Sequence, residues 1–175
     1  LHLPWLEPKQ ALPVYIQAHA LRRLYERMDC MPEIQLLSDL LFSLDNPQTH
    51  HFKGGQILIE YRVDATHKAG YLLAEVIEEL LVIRTFLFLT HDSTPEGECL
   101  KHLIGTERED AKYWAINRLS TFLFSDIKKN DSLKHKFVEA GCSSLFKIES
   151  LRKDTVQKTI EQADAMVKYF GLDNA

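Results

Sequence analysis

Cysteine is scarce and scattered in this chain. Cys30, Cys99 and Cys142 are the only three in 175 residues. Odd in number, far apart and without metal-ligand spacing, they exclude a disulfide framework and point to reduced thiols in a cytoplasmic protein. An excess of positive charge is also missing. The formal charge of -4 and the pI near 6.1 give no electrostatic reason to expect nucleic acid or an anionic membrane as partner. Long uncharged apolar runs are absent too. The most hydrophobic window, 71–90, matches a bilayer in length but carries Glu75, Glu78, Glu79 and Arg84, which are costly in lipid, so no membrane segment is expected. There is no glycine-rich phosphate loop, no Ser–His–Asp order and no Cys–His signature, and neither repeats nor low-complexity stretches occur. The opening LHLPWLEPKQALP has two early prolines and no apolar h-region, so no secretory signal is expected, and without an initiator Met the native N-terminus is left open.

What remains is a composition 45% apolar and 26% charged, suited to one domain over 1–175 with a sizeable core. Helix signals dominate. Residues 1–12 read as an N-terminal arm, and Pro13 suits the start of a first helix through VYIQAHALRRLYERMD. Pro32 does the same for EIQLLSDLLFSLD, where Ile34, Leu37, Leu40, Leu41 and Leu44 recur at helical spacing. The segment 46–55, NPQTHHFKGG, is the clearest loop.

QILIEYRV alternates as a strand would, yet a lone strand has nothing to pair with. Read as helix, Leu58, Tyr61, Ala65, Ala69, Leu72, Val76, Leu80, Ile83 and Leu87 form one stripe, which predicts a long central helix over about 56–90, with Asp64 as a possible break. Further helices are predicted after Thr94–Pro95, ending at Gly105; after Thr106, with Glu109 as a capping box; from Asn130 or Asp131 to Gly141; and from Asp154 to Gly171. The expected fold is an all-α bundle of about seven to eight helices.

Arg84 stands alone inside an apolar run, VIRTFLFLT, and is a candidate site residue for that reason. With His91 it forms Arg84-x6-His91, and Arg62-x4-His67 has similar spacing. The pattern resembles the Arg-x4–6-His motif of HEPN domains, small all-α proteins that often dimerise and in many cases are metal-independent endoribonucleases. The resemblance implies that Arg84 would orient phosphate and His91 transfer a proton. On a helical wheel Glu60, Asp64, His67, Tyr71, Glu75 and Glu78 form a polar stripe with Lys68 beside it.

Three metal sites can be read from residue spacing. Glu75-x2-Glu78 and Glu107-x2-Asp110 have the carboxylate spacing of helical magnesium sites. His67, His91 and Asp92 follow the order found in HD phosphohydrolases, but continuous helix would hold the histidines roughly 36 Å apart. His91, Asp92, Glu98, Cys99 and His102 could form a transition-metal cluster. No cofactor or metal is expected. The expectation is a non-enzymatic interaction or regulatory module with a protein partner or self-association, possible docking surfaces being VIRTFLFLT and Leu3, Trp5 and Leu6. The alternative is a HEPN-type nuclease or nucleotide-binding protein using Arg84 and His91.

Overall fold

The computed structural model describes residues 12–105 and 116–148. In chain order its main elements are strand β1 (Val14–Ile16), helices α1 (Ala18–Arg27) and α2 (Glu33–Asp45), strands β2 (Thr49–His51), β3 (Ile57–Arg62), β4 (Lys68–Ile77) and β5 (Leu80–Phe88), then helices α3 (Pro95–Ile104), α4 (Leu119–Phe124) and α5 (Asp131–Glu139). The strands form one mixed sheet in the order β1-β5-β4-β3-β2, with β1 parallel to β5 and the other pairs antiparallel.

The all-α bundle is therefore wrong, and the error has a definite place. The supposed central helix over 56–90 is three antiparallel strands joined by two tight turns. In the first, Asp64 Oδ1 accepts the backbone N–H of Thr66 at 2.7 Å and of His67 at 2.8 Å. The second is a two-residue hairpin loop, Glu78 and Glu79, with φ of 47° and 65°. Positive φ at both central residues matches a type I′ turn, the form whose twist suits a hairpin. Glutamate carries no signal for that conformation.

The strands it joins also lack alternation, because they are covered on both sides. Residues directly opposite each other share a face, so the register places Ile57, Ile59, Tyr61, Leu72, Ala74, Ile83 and Phe86 on one side. That side meets α1, which packs on β5, and α2, which packs on β3. Tyr61 Oη donates to the Leu36 carbonyl of α2 at 3.2 Å, and its ring stands edge-on to Phe86. The opposite side carries Leu58, Tyr71 and Leu87, also buried.

Other elements fell nearer to expectation. α2 follows Pro32; α3 starts at Pro95 after the Thr94 cap and ends at Gly105 with φ 66°; α5 is capped by the Asn130 side chain and followed by Gly141 at φ 87°. The first helix begins only at Ala18, because Val14, Tyr15 and Ile16 extend along β5 instead. The loop over 46–55 contains β2. The arm over 1–11, the capping box at Thr106 and the helix from Asp154 lie outside the described residues. At the far end of β5, Phe88, Phe122, Phe137 and Phe146 join α4, α5 and the 3-10 turn Ser143–Phe146 into one aromatic cluster.

Candidate functional site

Two register slips decide where the charged side chains go. Between β4 and β5, Leu73 faces Thr85 but Ala74 faces Ile83, so Arg84 is an extra residue on β5. A bulge of this kind re-aims a side chain. Here the guanidinium lies against Glu75 on β4, with Nε 2.5 Å from Oε1. The Arg84 side chain is 40% exposed, so this is a half-open surface pair and not a buried one. Pairs of that kind contribute about 1 kcal/mol or less. Arg84→Met is accordingly expected to change stability by less than about 1 kcal/mol in denaturant unfolding; a loss of ~3 kcal/mol or more would mean a sealed pair.

His91 is elsewhere. It lies past the end of β5, beside Asp92 with Nδ1–Oδ1 at 3.0 Å, and its Nδ1 accepts the Ser93 backbone N–H. Strand rise alone separates Arg84 from Phe88 by roughly 13 Å. The mixed sheet does not fit the all-α HEPN resemblance. Among the described residues no group of three or more His, Cys, Asp and Glu is placed to hold a metal ion, so His91, Asp92, Glu98, Cys99 and His102 assemble no such site. Glu107 and Asp110 lie outside the described residues.

The second slip builds the most charged locus. Tyr61 faces Gly70 while Arg62 faces Lys68, so Ala69 is the extra residue on β4. Strict alternation would aim Lys68 with Gly70 and Leu72; the bulge turns it to the side of Tyr71. Glu60 stands opposite Tyr71 in the register and shares that side. Lys68 Nζ reaches Glu60 Oε1 at 3.2 Å, Tyr71 Oη at 2.6 Å and Glu96 Oε1 at 2.7 Å. Tyr71 Oη in turn donates toward Glu96, 3.0 Å from each oxygen. His50 on β2 closes the outer side, its Nε2 3.0 Å from Glu60 Oε1.

Glu96 comes from α3, and the local sequence explains its position. Thr94 caps that helix by accepting the Gly97 N–H at 3.0 Å, and its one hydroxyl proton is shared between the carbonyls of Leu89 and His91, each at 2.7 Å. Ser144 Oγ donates to the Lys68 carbonyl at 2.5 Å and ties in the 3-10 turn. The locus thus joins β2, β3, β4, α3 and that turn.

Its electrostatics favour holding over turnover. Burial alone would lower the Lys68 pKa, but hydrogen bonds to Glu96 and Tyr71 outweigh it and raise the value well above that of an ordinary lysine. An ammonium has three protons to donate, and here three acceptors take them. Lys68 therefore offers no free amine for nucleophilic or base chemistry. Burial would raise Glu60; its bonds with His50 and Lys68 prevail and hold it low. Burial raises the Tyr71 phenol, with Glu96 adding to it, and pushes the Cys142 thiol up to about 12, so neither is an activated nucleophile.

The helical wheel grouped Glu60, Lys68 and Tyr71 on one side for the wrong reason. Nothing local in the sequence ties Glu96, in the first turn of α3, to that group. A constant sum of paired residue numbers along a β3–β4 hairpin is the signal that unites Glu60 with Tyr71. Comparison with protein-family models, curated proteins and solved structures finds no match to this chain.

Proposed function

We propose that this chain is a non-enzymatic, cytoplasmic interaction module that pairs with a second copy of itself through α2. The observation that carries the reading is the inverted character of that helix. Its sheet-facing side holds Leu36 and Leu40 together with the polar Asp39 and Ser43, whereas its outer side presents Ile34 at 77% and Leu41 at 68% exposure, with Leu37 between them. A helix with large apolar residues on both sides is one that expects cover on both. Beside it, Leu41, Phe42 and Leu44 share a groove with Val14 of β1. Tyr15 adds further exposed aromatic surface on the same strand. Contiguous apolar surface beyond a few hundred Å² is unusual on a monomer.

A second copy suits the stripe because it is self-complementary. In an antiparallel pair of α2 helices Ile34 of one meets Leu41 of the other, and Leu37 lies near the two-fold axis. Ser38 lies on the same side of the wheel, and its small side chain allows close approach. The charged locus around Lys68 fits this reading as a rigid joint in the scaffold. Retention of all three cysteines as thiols suits a reducing compartment. Among the described residues no helix is long and apolar enough to cross a membrane.

Sedimentation over a range of concentrations tests the proposal. The expected result is a reversible dimer that Leu41→Glu weakens by about 100-fold or more, since the new carboxylates would be buried against Ile34. Unfolding stability of the isolated monomer should change by no more than about 0.5 kcal/mol, because this side chain is mostly exposed there. A wild-type chain that stays monomeric at millimolar concentration would overturn the reading.

A further inference from the structure

The side of α2 that meets the sheet carries a group ill suited to a static core. Asp39 lies across the helix from the Ile34–Leu37–Leu41 stripe and is only 4% exposed. Its Oδ1 accepts Gln35 Nε2 at 2.6 Å, while its Oδ2 is buried with no hydrogen-bond partner. Several polar groups face it. On β3, Tyr61 donates to the Leu36 carbonyl, and Arg62 bonds the Asn46 carbonyl at 2.6 Å with its guanidinium over the Phe42 ring, while its Nε is buried without a partner. In the turn after β3, Asp64 is itself an acid, held by Thr66 and His67. On α1, Tyr25 stands near Tyr61.

Among the described residues no cation is paired with the Asp39 carboxyl. A buried carboxylate with one donor and a second acid nearby is favoured in its neutral form. Burial first, with Asp64 adding to it, pushes its pKa up to about 6, against the Gln35 bond that lowers it.

We propose that Asp39 is a proton-operated latch on α2: neutral, it lets the helix seat on β3 and present the apolar stripe; ionised, it loosens that seat. This rests on α2 as the docking helix. The direction follows from linkage. The seated state binds the proton more tightly than the open state, so its advantage is complete below the ordinary aspartate range near pH ~4 and is lost as pH rises through about 6. Pairing through α2 then weakens in the same window.

The experiment follows the full chain and Asp39→Asn, which keeps the shape but cannot ionise, from pH 5 to pH 8. Two quantities are read: hydrogen-exchange protection of the α2 amides, corrected for intrinsic rates, and the dimer dissociation constant. In the wild type, protection should fall by about 10-fold across this range and the dissociation constant should rise with it, while both stay flat in Asp39→Asn. Wild-type protection that ignores pH, or an equal fall in Asp39→Asn, overturns the latch. If the chain is monomeric throughout but α2 protection still falls only in the wild type, the latch stands and the docking reading is what fails.

Discussion

Lys68→Met should lower unfolding stability by about 3–5 kcal/mol at neutral pH, the usual result of removing one partner from a buried ion pair. The geometry argues for the upper part of that range. Lys68 is the shared cation of two carboxylates whose side chains are 17% and 12% exposed, Glu60 and Glu96. Methionine keeps much of the stem's bulk and deletes the charge. Two acids are then left facing each other with a phenol between them, and Tyr71 can donate its single proton to only one.

The loss should therefore shrink under acid. In the variant the folded-state pKa of the orphaned pair is raised, so the deficit is full at neutral pH and fades as pH falls and a proton is taken up. Glu96→Gln added to Lys68→Met should restore a good part of the stability, because it removes one of the stranded charges. Urea unfolding of the three variants at two pH values gives the answer. A deficit below about 1 kcal/mol at neutral pH would mean that the cluster behaves as an open surface pair.

The residues of this cluster show why so much of the fold was hidden in the sequence. Helices with chemical stops were readable: Pro32 before α2, Thr94 and Gly105 around α3, Asn130 and Gly141 around α5. Each stop is a local preference, expressed whatever the tertiary surroundings. The sheet had no such marks. Glu78 and Glu79 adopt positive φ because the hairpin pairing compels them, at a steric cost that Asn-Gly would not carry. Leu80 to Phe88 is apolar at nearly every position, which periodicity cannot tell from a buried helix.

β3 does alternate, at Ile57, Ile59 and Tyr61, and its partner lies in the very next segment. The two bulges compound the difficulty. Arg84 in an apolar run and Lys68 beside Ala69 look out of phase until the extra residue is recognised, and the Arg84 bulge has no glycine or proline to announce it, whereas Gly70 follows Ala69 at the other. An arginine breaking an apolar strand marks a local irregularity, the bulge that aims it at Glu75.

Gly97→Ala is the other substitution expected to be severe, and it tests whether α3 is a rigid part of the same joint. A Cβ at this position would sit 1.8 Å from the His91 carbonyl oxygen and 2.8 Å from the Thr90 carbonyl carbon. Both are backbone atoms of the turn that Thr94 clamps through Leu89 and His91, so no side chain can swing aside. Overpacking commonly costs about 1–3 kcal/mol, and more where nothing can give, so a loss of ~3 kcal/mol or greater is expected in denaturant unfolding.

The route of relief makes a sharper test than the magnitude. If α3 backs away from the turn, Glu96, one residue before Gly97, is carried off Lys68 and Tyr71. Gly97→Ala and Lys68→Met would then break the same contact, and their combined cost should fall short of the sum by about 1 kcal/mol or more. Simple additivity would show instead that the N-terminal turn of α3 absorbs the methyl locally and that the Lys68–Glu96 joint survives.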